Sequence, residues 1–167
     1  MALFGKNSRK TDSFNFSGAS ASPSPSVSPD EATKNLIIDA LRGRELKFSD
    51  VSKDGTQALR LGFSLENWSS IQVFVFVDDD GTSYQIRSGV IMSVPAGKTE
   101  SILKVVNDVN RRYRWLRFYL DGDNDLMAQE DIDFKPADAP DFPVLAIMRA
   151  ASILDDVYPE FMKALWA

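Results

Sequence analysis

Five consecutive apolar residues, Val73, Phe74, Val75, Phe76 and Val77, constrain this chain more than any other stretch. Alternating β-branched and aromatic side chains over so short a run favour a strand, and because neighbouring positions point to opposite faces, neither face of that strand tolerates water. Asp78 to Gly81 then supplies turn residues, and Tyr84 and Ile86 return in alternation with Gln85 and Arg87. The stretch therefore reads as a hairpin whose first strand is heavily buried inside a sheet. Helices from the same chain can cover the face that carries Val73 and Val75. Phe74 and Phe76 then lie on the opposite face, which also needs a cover, either another helix or a binding partner.

The flanking sequence extends the pattern. Upstream, Leu46 and Phe48 alternate with Lys47 and Ser49, and after the turn Ser52 to Gly55 the residues Leu59, Leu61 and Phe63 alternate with Arg60 and Gly62, giving two short strands. Before them SPDEATKNLIIDALRG reads as a helix. Ser28 is placed to cap it, with Pro29 at its first position, Glu31 completing a capping box and Gly43 just past the end. Ala32, Leu36, Ile37, Ala40 and Leu41 are its expected buried stripe. Downstream, Ile102, Val106, Val109 and Tyr113 recur at helical spacing, with Thr99 as candidate cap, and predict a second helix over 99–112. RWLRFYLD alternates again: Leu116, Phe118 and Leu120 face one way, and Trp115, Arg117 and Tyr119 the other. Leu126, Ala128 and Glu130 begin a return strand, and a Pro-containing segment leads into a last helix from Val144 to Leu165, expected to kink or break before Pro159. The order is α-β-β-β-β-α-β-β-α, an α+β domain with an antiparallel sheet and helices.

A chain of 167 residues, 44% hydrophobic, can bury one sizeable core. Residues 1–28 differ in kind: rich in Ser, Ala and Pro and without a sustained period, they read as a disordered arm ahead of a single domain over 29–167. Phe4, Phe14 and Phe16, beside Lys6, Arg9 and Lys10, fit a short docking motif in that arm, but isolated aromatics are common in tails and that plainer reading is favoured. With neither His nor Cys, the chain lacks the usual near-neutral base, thiol chemistry and most zinc or iron–sulfur ligand sets. A net charge of −5 opposes nucleic acid as a partner of the whole surface. No apolar run is long enough for a membrane span or a signal segment, so the expected location is the cytoplasm.

The run N-x-x-N-R-R-Y-R-W-L-R-F-Y-L-D from Asn107 to Asp121, followed by an acidic turn and an apolar strand, resembles the signature region of the YbjN-domain family, bacterial proteins labelled as sensory-transduction regulators. The element order over about Pro29 to Trp166 is similar too. The resemblance implies a fold like that of type III secretion chaperones, a curved antiparallel sheet with helices against it. It further implies a binding or regulatory module with no known reaction and no catalytic residues to carry over.

Three motifs suggest sharper chemistry and fall short of it. Asp121, Asp123 and Asp125 match the opening spacing of a calcium loop, but Leu126 stands where glycine is required and Ile132 where a bidentate glutamate is. Gly97-Lys98-Thr99 lacks the upstream glycine of a phosphate loop, Met92 standing in its place. Arg111, Arg112, Arg114 and Arg117 among aromatics could clamp phosphates, yet Arg111 and Arg112 suit a helix C-terminus and Arg117 suits pairing with a cross-strand acid. The expected function is thus non-catalytic protein binding or regulation, chaperone-like, with no cofactor, metal or catalytic residue. The partner is a client protein or a second copy forming a homodimer, and the candidate interaction residues are Phe74, Phe76, Arg114, Trp115, Arg117 and Tyr119. The alternatives are a regulator that binds a small molecule or a weakly held cation, and a hydrolase built on carboxylates among Asp121, Glu130 and Asp131.

Overall fold

The structure is a computed structural model and describes residues 27–133 and 139–167. Of the arm expected over 1–28, only Val27 and Ser28 fall among the described residues. The elements are α1 (Pro29–Gly43), β1 (Ser49–Asp50), β2 (Gln57–Phe63), β3 (Ile71–Val77), β4 (Tyr84–Ser88), β5 (Met92–Ser93), a 3-10 turn at Ala96–Lys98, α2 (Thr99–Arg112), β6 (Arg117–Leu120), β7 (Asp125–Ile132) and α3 (Phe142–Trp166). This is the expected α+β order with one two-residue strand, β5, in addition. All pairings are antiparallel. The strands run β1-β2-β3-β4-β7, with β5 and β6 also paired to β7.

β3 takes the interior position its composition demands. Val73, Val75 and Val77 are buried with Leu59, Leu61, Ile86, Phe118 and Ala128 in one core with Ile37 and Leu41 of α1, Ile102 and Val109 of α2, and Ile147, Leu154 and Phe161 of α3. Between β4 and β5 the ladder to β7 is interrupted, and the buried Ser88 hydroxyl accepts the Ala128 N–H at 2.8 Å in place of a backbone carbonyl. Asp155 of α3 fastens the β2–β3 connection by accepting the N–H groups of Asn67 (2.9 Å) and Trp68 (2.8 Å).

Several local expectations fail for reasons in the tertiary structure. The buried side of α1 is Asp30, Thr33, Lys34, Ile37, Ile38 and Leu41, whereas Ala32 is exposed and Leu36 is 43% exposed. Thr33 turns inward because its hydroxyl donates to the Gly81 carbonyl (2.6 Å), and Lys34 because its ammonium meets Asp50 (2.8 Å). Ser28 makes no side-chain cap hydrogen bond to the helix, so the capping box does not form. The helix ends through Glu45 in the left-handed region (φ 55), with the Leu46 N–H returning to the Leu41 carbonyl, the role expected of Gly43. Thr99 opens α2 without capping it. α3 runs unbroken past Pro159, held on both sides of the missing N–H by Tyr158 stacked on Trp68 at 4.8 Å and by fully buried Phe161 against Phe118 at 5.5 Å. No described helix is long and apolar enough to cross a membrane.

Candidate binding face

The helices pack on the valine side of β3, leaving the other side of the sheet to Phe74 and Phe76. Strand register sets the neighbours on this open face. One row runs Arg60, Phe74, Arg87, Gln129, Arg117, and the next runs Ala58, Phe76, Gln85, Asp131. Both phenylalanines are half-buried, their rings stacked with centroids 6.2 Å apart. The Arg87 guanidinium lies 5.1 Å from the Phe76 centroid. Gly89 makes room beside them: a Cβ there would stand 3.7 Å from the Phe74 ring and 3.3 Å from the Gln72 Cβ. With Val90 and Met127 these residues line a shallow groove of about 380 Å³.

Tyr119 and Arg117 occupy the same face on β6, three strand spacings from β3, or about 14 Å at ~4.8 Å each. Polar Gln85, Arg87, Gln129 and Asp131 intervene along those two rows, whereas in the next row Met127 is the cross-strand partner of Tyr119 and also lines the Phe74 groove. Arg114 and Trp115 lie exposed in the α2–β6 connection, Trp115 at 52%. Two arginines of the run hold the edge of the sheet. Arg117 donates to the carbonyls of Asn110 and Tyr113, both at 2.9 Å, and caps the end of α2 instead of pairing with a cross-strand acid. Arg112 meets Glu160 of α3 at 2.6 Å. The Asn110 amide pairs with both backbone groups of Phe118, accepting its N–H at 2.9 Å and donating to its carbonyl at 3.0 Å, as a further strand would.

The carboxylates do not converge. Asp121 sits in the β6–β7 turn, where one of its oxygens accepts the N–H groups of Asp123 and Asp125, both at 2.9 Å. Asp131 is exposed on the open side and receives the Gln129 amide, while Glu130 points under the helices and pairs with Arg149 of α3. Among the described residues no three acidic side chains are grouped to hold a metal ion.

Pattern reading named Glu130 but did not group it with Tyr84 and Arg149, with which it forms a polar cluster under the helices. Burial pushes its carboxyl above the ordinary range against the pull of Arg149, and burial likewise pushes the Tyr84 phenol up. Arg149 continues outward to lie 4.9 Å from the Trp115 ring centroid. The Tyr84 hydroxyl, Glu130 Oε2 and Arg149 Nε lack hydrogen-bond partners among the described residues. The signal was one acid, Glu130, in phase with the apolar series Leu126, Ala128 and Ile132.

One family model matches residues 34–163, nearly the whole of the described fold: YbjN, described as "Putative bacterial sensory transduction regulator". No curated protein matches the chain.

Proposed function

The chain belongs to the YbjN family, and from that premise we propose that it is a non-catalytic regulatory domain that binds another protein on the open face of its sheet. The observation that carries the reading is the pair Phe74 and Phe76, half-buried and stacked, on the face opposite all three described helices. Aromatic side chains at the centre of an interface typically carry its energy, and an adjacent arginine adds a charged contact at little ordering cost. Trp115 and Tyr119 extend the contact area beyond Met127, the cross-strand partner of Tyr119. The occupant is a client protein in the cytoplasm, with a second copy of the chain as the competing occupant.

Affinity capture from the source cell with wild type and with the double variant Phe74→Gln/Phe76→Gln tests this. Specific partners are expected to be lost while the circular-dichroism spectrum is kept. An unchanged partner set would overturn the reading. Light scattering on the same pair of proteins identifies self-association, since a dimer on this face would dissociate in the variant.

A further inference from the structure

The path of the chain into α1 leads back to the open face. The first turn of α1 rests on the β3–β4 turn: a side chain at Gly81 would collide with the Pro29 carbonyl, and Thr33 donates to Gly81. Ser28 therefore enters the fold at the end of the sheet where Phe76 lies, next to the turn that joins its strand to β4. Upstream, Ser13-Phe14-Asn15-Phe16-Ser17 repeats the alternation of β3, with two phenylalanines two residues apart. In an extended segment such residues share one side and stand roughly 6.6 Å apart, close to the 6.2 Å between the stacked rings of Phe74 and Phe76.

Resting on the reading of this face as the binding surface, we propose that Ser13–Ser17 of the same chain docks in the groove over Phe74, Phe76 and Met127, and so competes with the protein partner. The reach is sufficient. Ser17 to Ser28 spans up to roughly 36 Å at ~3.3 Å per residue, while Phe74 stands only about 13 Å along its strand from the β3–β4 turn. A tether of this length holds the segment at an effective concentration on the order of millimolar, so a weak aromatic contact suffices to populate the docked state.

The absence of cysteine permits a single spin label in the full-length chain through Ser13→Cys. Amide signals of Phe74, Phe76, Arg87 and Met127 are expected to lose most of their intensity. That loss should persist on dilution and disappear when Phe14→Ser and Phe16→Ser are added. Broadening elsewhere, no broadening, or broadening that survives the two serines would overturn the proposal. So would broadening seen only when a labelled chain is mixed with an isotopically enriched unlabelled one, which would assign the docking to a second copy. No partner takes part in this measurement. Its failure therefore leaves the partner-binding reading intact, and the loss of partners from the Phe74→Gln/Phe76→Gln variant stands or falls separately.

Discussion

Val75 and Phe76 are neighbours in β3 and meet different surroundings: Val75 is fully buried beneath the helices, and Phe76 is half-buried beneath one arginine. Apolar character is the same on both faces of the strand, but the helices complete only one of them. On the covered face the side chains fill a core. On the open face two stacked rings keep apolar surface available, which a strand serving stability alone would replace with polar residues.

The most direct way to break this comparison is to truncate each face in turn. Leu59→Ala removes a fully buried side chain from the core and is expected to cost about 3 kcal/mol in urea denaturation, while Phe74→Ala on the open face should cost only about 1 kcal/mol. Equal losses would mean that the open face is covered in solution. Asn110→Ala probes the edge where the two faces meet. It leaves the Phe118 N–H and carbonyl without their side-chain partner, so a loss of about 2 kcal/mol and faster amide exchange at Phe118 are expected. Stability unchanged by the substitution would show that water replaces the asparagine at no cost.

The smallest effects are those of pH, and they run in opposite directions for two carboxyls. Asp50 accepts hydrogen bonds from Lys34 and Ser52, which hold it at about 2 against an ordinary 3.8. Its contribution is present above pH 3.8 and is lost as the pH falls towards 2, so Asp50→Asn should flatten that limb of a stability profile. The effect is modest because the side chain is 47% exposed. Glu130 is raised by burial, so its contribution is present below 4.5 and lost as the pH rises through its folded value. Glu130→Gln should therefore gain relative to wild type with rising pH. Parallel profiles for variant and wild type above pH 4.5 would contradict the placement of Glu130 as a buried acid.

The strand alternation in the sequence was enough to separate Val73 and Val75 from Phe74 and Phe76, because residue parity within a strand is a local property. Register is not local. Nothing in the one-dimensional pattern places Gln129 and Arg87 between Phe74 and Arg117, or Met127 beside Tyr119. The α1 stripe was misplaced for the same reason. Thr33 and Lys34 are drawn inward by Gly81 and Asp50, partners that lie in later strands. Of the signature arginines, Arg112 and Arg117 make structural contacts, Arg112 with Glu160 of α3 and Arg117 at carbonyls 4 and 7 residues back rather than at an acid across the strand.

The hydroxyl of Ser88 has a consequence for cooperativity. Along one side β7 is held by β4 over Gln129 to Ile132 and by β5 over Leu126 and Asp125, and the gap between them is bridged at Ala128 by that side chain alone. The ladder on that side of β7 is weakest at this break, which lies directly beside the Phe74 groove. A protein seated in that groove would contact β4 and β7 on both sides of the break and raise the free energy of local opening there, so occupancy would register as a slower exchange of the Ala128 amide.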